Sequence, residues 1–475
     1  MSRVLLLAMP DSASCFDGVM DMPNLGVCSL AGNLEDCQTR VVDLVIPKRR
    51  LTAILARELR DFRPDLVGIS AMTYQYRSAC VTARLLRRWQ PELPIVLGGY
   101  HVSLLAKDVA AEDGDLFDVL VRHEGESAFP RVVQALERAG EGLQAIPGVS
   151  YRSAGGWEHN PDAALLNLET IRLPDRSTRA YRRFRFMGRR FDCAETSRGC
   201  VLPCSFCTIT QMYGKSFRVY PTERILDDLA QLRALGVRGV FFVDDNITLN
   251  IKRLARLCEA ILAAGYQRDM EFILQATVEG IAADERLAGL LHRAGVRLVF
   301  MGIESGIEEN LKTFRKKRPS GNTEKAVRLL KEAGIVVVGG FIVGTPDDDR
   351  ERIYQTFRWV RQVGVDHGIV QCLTPYPRTQ QRLELEQAGL ITNPHDYQLY
   401  NGFIPNLRTR HLSPAQIAGA MWRAGLKLYW HPGYMLRSQL WRYYRKVVPR
   451  LLINNLRYLL SGARGKLFFS THSFG

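Results

Sequence analysis

The sequence predicts an α/β protein made of two successive strand–helix series and a helical end. Three observations predict this. Short apolar runs alternate with helical patterns through residues 1–150. The alternation lapses over 151–190 and resumes over 191–395. From 396 to 475 the pattern is mostly helical. Strands that alternate with helices imply parallel sheets covered on both faces. A chain of 475 residues also exceeds the usual size of one domain.

In the first series, apolar runs fall at 4–9, 40–44, 66–71, 95–99 and 119–122, with helical patterns at 51–62 and 78–89 among the intervening stretches. Five such strands suit a doubly wound, Rossmann-like sheet, which takes ligands at the carboxyl ends of its strands. Residues 151–190 are irregular, rich in Pro, Gly, Asn and Arg, and read as a linker that wraps rather than folds alone. The second series has six strands, at 193–197, 239–243, 271–277, 297–303, 336–343 and 368–373. Six strand–helix units are too few to close an eight-fold barrel. Chemistry in such a sheet sits on the loops after the strands. In the last region Ser413 reads as a helix N-cap with Pro414 at the first helical position. Breaks follow near Pro432-Gly433 and at Pro449.

A chain that is 46% hydrophobic and 24% charged is ordinary for a globular protein. The apolar run near the start is cut by Pro10 and Asp11, so it reads as a first strand and not a signal peptide. Nothing approaches the roughly 18 apolar residues of a membrane span. Ten cysteines without a signal argue for reduced thiols and a cytoplasmic location. The net charge of +15 is concentrated at the end: no Asp or Glu follows Asp396, while twelve Lys and Arg do. Trp422, Trp430, Trp441, Tyr443 and Tyr444 share that tail. Basic and aromatic residues together suit nucleic acid, a solvated helical face or a lipid surface. Arg442, Arg445 and Lys446 stand beside Leu440, Trp441, Val447, Leu451, Leu452 and Leu456. That mixture favours peripheral contact with the anionic inner surface of a membrane, and with it a lipid-like substrate. Nucleic acid is not the expected partner.

The most specific motif is Cys200-x3-Cys204-x2-Cys207. Three thiolates on one tight loop can hold three irons of a [4Fe–4S] cube and leave the fourth open to a small molecule. A closed zinc or cluster site would want four ligands. Gly199 lets the chain turn before the first thiol. Phe206 supplies an aromatic face that suits adenine. This motif resembles that of the radical S-adenosylmethionine (SAM) superfamily. The resemblance implies a partial (β/α)6 barrel. It also implies a cluster ligated by Cys200, Cys204 and Cys207, with SAM chelating the open iron and a one-electron reductant such as flavodoxin or ferredoxin. SAM is then cleaved to a 5′-deoxyadenosyl radical.

Further motifs extend the resemblance. Asp244, Asp245 and Asn246 end the second barrel strand, where the family binds the SAM amino group. Gln275 ends the third on a polar face shared with Thr277, with Glu279 beyond. Glu304, in Gly-Ile-Glu-Ser-Gly, is expected to face the cofactor. Ile342 and Val343 are placed beside adenine. Arg378 stands where many relatives have Gly, and it offers a cation to an anionic substrate. In the first series, Ser70 and then Gly98-Gly99 resemble the cobalamin-binding pattern, with Tyr74, Tyr76, water or nothing beneath cobalt. His101 and the His123-Glu124-Gly125-Glu126 run belong to the same comparison. The Asp-x-His-x-x-Gly element of many cobalamin domains is missing. The resemblance is thus to the cobalamin-binding branch, with domains at 1–150, 191–395 and 396–475. Its implied function is methylation of an unactivated carbon of a small or lipid-like substrate. Oxidative cyclisation is the alternative; a tRNA methylthiotransferase or a non-catalytic iron–sulfur or membrane adaptor fits less well.

Overall fold

The computed structural model describes residues 1–10, 20–47, 50–316 and 321–440. They fall into two compact units that meet in sequence at Phe184 and Arg185.

The first unit is a seven-stranded sheet of order β2-β1-β3-β4-β5-β6-β7. Its strands are β1 (Ser2–Ala8), β2 (Cys37–Asp43), β3 (Leu66–Ser70), β4 (Ile95–Gly98), β5 (Val119–Val121), β6 (Val149–Ser153) and β7 (Gly156–His159). The first five are parallel, as the alternation predicts. Val4 to Leu7 are all buried because helices cover both faces. One face packs Leu5, Leu7, Val67, Ile69 and Leu97 under helices; the other packs Val4, Leu6, Val96, Phe129 and Val132. The strand order reverses at β1 and β3, the place where doubly wound sheets bind ligands.

The stretch expected to be a wrapping linker belongs to the first unit as far as Phe184, and it is not irregular throughout. Its first part, β6 and β7, is an antiparallel hairpin added to β5. Arg122 anchors it by donating to Ser150 Oγ at 2.5 Å and to Asp162 at 2.9 Å. The strand signal is weak because β7 is a mostly exposed edge. The rest is tied along the same unit by Asp175 N to Cys28 O (2.9 Å) and by Ala180 N to Val41 O (2.8 Å).

The second unit holds a sheet of order β16-β15-β14-β13-β12-β9-β8. Its strands are β8 (Arg185–Phe186), β9 (Arg189–Ala194), β12 (Gly239–Phe242), β13 (Glu271–Thr277), β14 (Val296–Glu304), β15 (Val336–Val343) and β16 (His367–Cys372). Six of these run parallel, and β9 and β16 remain unjoined, so the sheet is an open half-barrel. A separate pair, β10 (Ser197–Arg198) and β11 (Arg218–Val219), closes the loop that carries the cysteines. In β13, Phe272, Leu274 and Ala276 are buried toward the helices. Glu271, Ile273, Gln275 and Thr277 alternate with them on the lumen face.

Helix Pro414–Tyr429 begins as expected. Ser413 Oγ accepts from Gln416 N at 3.3 Å, and Gln416 answers from Ser413 N at 2.8 Å. The break near Pro432 also holds, since helix Pro432–Arg437 follows it. Leu440 is buried against Val336, Val338, Leu298 and Ile369. Pro449 and most of the basic tail lie outside the described residues. Among the described residues, no helix is long and apolar enough to cross a membrane.

Candidate active site

The cysteine loop leaves β9 and is fixed at its entry by the carboxyl end of β12. Asp244 is fully buried and accepts from Thr196 N (3.2 Å), Thr196 Oγ1 (2.6 Å) and Ser197 Oγ. Arg253 donates to Thr196 O beside them. Asp244 therefore anchors the loop, and its oxygens are already occupied. The expectation that it receives the SAM ammonium is corrected on this ground. Asp245 is half-buried and accepts from Gly199 N at 2.8 Å. Burial raises its pKa to about 6, although the Gly199 N–H opposes the shift. Gly199 has φ +89°, and a Cβ there would stand 2.5 Å from Ser216 O. No other residue type fits.

The loop is stapled again between its second and third thiols. Ser205 N donates to Phe314 O at 3.2 Å, and Ser205 Oγ donates to Thr313 O at 2.7 Å. Ser205 also bonds Gln381, which ties in the segment after β16. Phe206 meets Phe314 edge-on, ring centres 5.4 Å apart. It is half-buried, with part of its surface free to pack another group.

Cys200, Cys204 and Cys207 are all unpaired and partly exposed. Burial pushes Cys204 up to about 11 and Cys207 up to about 12, and each feels its neighbours' charge. As thiols they are protonated at neutral pH, so a metal must displace those protons on binding. Asn246 Nδ2 is buried with no acceptor among the described residues. Burial raises the pKa of the Cys200 thiol, and the Asn246 side chain beside it opposes that shift. A buried donor beside a free thiol fits an iron–sulfur group that brings acceptors. Among the described residues no three His, Cys, Asp or Glu converge on a single-ion site. Three thiols spread around a cube do not need to.

Gln275 lies on the lumen face and donates to Asp244 O at 3.3 Å. Thr277 caps the next helix by accepting from Gly280 N, and Glu279 lies within that helix (Val278–Ala282). Glu304 has φ +61°, at a register shift between β14 and β15. Its carboxylate folds back over Gly302 and pairs with Lys316 at 2.6 Å. Ile342 is 8% exposed and shares the lumen face with Val336 and Val338 by the period of two. The same period turns Val343 to the other face, which removes it from the adenine set. Lys316 and Ser205 were not expected from sequence. Their contacts join segments about 100 residues apart, or cross a turn, and no local pattern signals either.

In the first unit, Ser70 ends β3 half-exposed. A Cβ on Gly98 would meet only Val121 O, at 3.6 Å. A small side chain would fit at Gly98 without displacing its neighbours. Gly99 differs: its φ is +97°, and a Cβ would lie 2.7 Å from Ala71 O. Tyr74 is half-buried in the turn Thr73–Gln75. Tyr76 and His101 are corrections. His101 is 2% exposed and stacks on Tyr76 at 3.9 Å, while the Tyr76 hydroxyl donates to Asp113 at 2.8 Å. Both belong to the core and not to a corrin surface. His123 has φ +60° and lies 3.6 Å from Asp162.

Residues 194–360 match the radical SAM superfamily, and residues 17–133 match the B12-binding domain. The hopanoid C-3 methylase of Methylococcus capsulatus is 31% identical over 76% of this chain and 67% of its own length. The chain belongs to the cobalamin-binding radical SAM family. An uncharacterized methyltransferase of Pyrococcus horikoshii is 27% identical over 95% of this chain and 98% of its own length. The radical SAM methyltransferase TsrM of Kitasatospora setae, solved with cobalamin and a [4Fe–4S] cluster, shares the fold. Its TM-score is 0.68 at 20% identity, covering 88% of this chain and 82% of that one. The family's cofactors are a [4Fe–4S] cluster, SAM and cobalamin, and its members use small-molecule substrates and an electron donor.

Proposed function

We propose that this family member transfers a methyl group to an unactivated carbon of a small, lipid-like substrate. The observation that carries the reading is one chain with both parts. It has three partly exposed thiols on a doubly anchored loop, and a sheet edge with room for a small side chain at Gly98. The relatives named as methylases support the outcome. When bound, the cofactors would supply one-electron chemistry and the methyl group for transfer. The chain's residues hold and orient them. Cys200, Cys204 and Cys207 take the cluster. Asn246, Asp245 and Gln275 offer polar groups to SAM, and Phe206 and Ile342 offer it apolar surface. Glu304 presents its carboxylate at the lumen. Ser70, Tyr74, Gly98 and Gly99 shape the cobalamin edge.

The test is anaerobic turnover of reconstituted protein on lipid extracts from cells lacking the gene. A product heavier by one methylene, with both 5′-deoxyadenosine and S-adenosylhomocysteine formed, supports methylation. 5′-Deoxyadenosine alone points to cyclisation. If the Cys200, Cys204 and Cys207 triple alanine variant still forms 5′-deoxyadenosine, the ligand assignment is wrong.

Peripheral contact with an anionic membrane belongs to the same proposal. Trp422, Leu426 and Trp430 recur every four residues and are exposed, Trp430 by 78%, and Leu436 is 76% exposed. Arg423, Lys427 and Arg437 accompany them. An apolar stripe bordered by cations suits an interfacial helix.

A further inference from the structure

A lysine on the turn stapled to the cysteine loop is fixed by the end of β14. Lys316 Nζ donates to Glu304 Oε1 at 2.6 Å and to Gly302 O at 3.4 Å. The two side chains are only 10% and 11% exposed. Gly302 makes room for the pair. A Cβ there would stand 2.7 Å from Glu304 Oε1 and 3.4 Å from Lys316 Nζ. The turn that delivers Lys316 is the one stapled to the cysteine loop, through Ser205 on Thr313 O and Phe314 O and through Phe206 on Phe314. Lys316 N closes this turn on Leu311 O at 2.9 Å. The ammonium thus has a fixed address relative to Cys204.

A nearly buried charge acts through a low dielectric and is weakly screened. Reduction adds one negative charge to a cluster. A fixed cation nearby favours the reduced state, and a fixed anion opposes it. Charge and burial around the sulfurs are among the main determinants of cluster potential.

We propose that the Lys316–Glu304 pair sets the reduction potential of the cluster held by Cys200, Cys204 and Cys207. Lys316 is the favourable charge and Glu304 its partial offset. The step is the passage of one electron from an external one-electron donor into the cluster, with no bond made or broken. The inference rests on the cluster reading of the cysteine triad. Both residues are positioning residues here, acting through the cluster's field.

The experiment is a potentiometric titration of full-length, anaerobically reconstituted protein without SAM, followed by electron paramagnetic resonance, with iron counted in each sample. Lys316→Gln disfavours reduction about tenfold, which is about 59 mV more negative for a one-electron couple. Lys316→Arg titrates with the wild type. Glu304→Gln shifts the potential in the positive direction. Where Lys316→Gln retains its iron and titrates with the wild type, the proposal is overturned. Where it loses its iron, Glu304→Gln decides: a positive shift upholds the pair and no shift overturns it. A wild-type protein with no reducible cluster sinks the ligand assignment instead.

Discussion

Arg378 holds φ +59° and is exposed, with no ion-pair partner among the described residues. A left-handed backbone costs an L-residue roughly 1–2 kcal/mol, and glycine escapes that cost. Arg378→Gly is therefore expected to stabilise the protein by about 1 kcal/mol, read as a higher thermal midpoint. An unchanged or lower midpoint would show that the position carries no backbone strain. The departure from the family's glycine was visible in the sequence; its conformational reason was not, since φ is set by how β16 leaves the barrel. His101 makes a second case. Burial lowers its pKa to about 3 from 6.5. The unfolded state then binds a proton below pH 6.5 that the folded state refuses. Stability is full above 6.5 and falls as the pH drops toward 3. At pH 5.5 the loss from this one group is about 1.4 kcal/mol. His101→Phe, which keeps a ring against Tyr76, should flatten that part of the pH dependence in denaturant titrations. An equal slope in both proteins would refute it.

Adjacent glycines at the end of β4 separate two roles. Gly98 has open space where a side chain would grow, whereas Gly99 has Ala71 backbone at 2.7 Å and a positive φ. Gly98→Val should weaken cobalamin binding, followed by absorbance, while leaving the thermal midpoint nearly unchanged. Gly99→Val should lower the midpoint itself. Equal losses of stability in both would remove the ligand argument for Gly98. The strands of both sheets were legible from apolar runs, because parallel strands buried on two faces have nearly continuous apolar sequence. The hairpin β6–β7 was not, because an exposed edge carries no such run. The cysteine loop was legible in its thiols and its glycine. Its fastening was not: Asp244 read as a ligand acceptor, and only packing shows its oxygens filled by Thr196 and Ser197.

At the scale of the whole molecule, the asymmetry of charge and the exposed stripe lead to one expectation. Full-length protein should sediment with vesicles of anionic lipid at low salt, less so at high salt, and not with neutral vesicles. Each cation close to such a surface contributes on the order of 1 kcal/mol. Trp430→Ser with Leu436→Ser should reduce the bound fraction without altering the fold, since both side chains are exposed. Indifference of the wild type to anionic vesicles would end the membrane proposal. Deleting the chain after Asn406 is the poorer test, because Ile417, Met421 and Leu428 are buried and would leave a hole.

The sequence by itself determined the two strand–helix series, the three-thiol loop and the paired glycines at the end of β4. Each is a local pattern: alternation, spacing, or a residue type tied to one backbone conformation. Tertiary structure decided which polar groups remain available. It assigned Asp244 to the loop, His101 and Tyr76 to the core, and Lys316 to Glu304. Those outcomes depend on which distant donors and acceptors meet, and an unfilled hydrogen bond or an unscreened charge is a property of the packed neighbourhood.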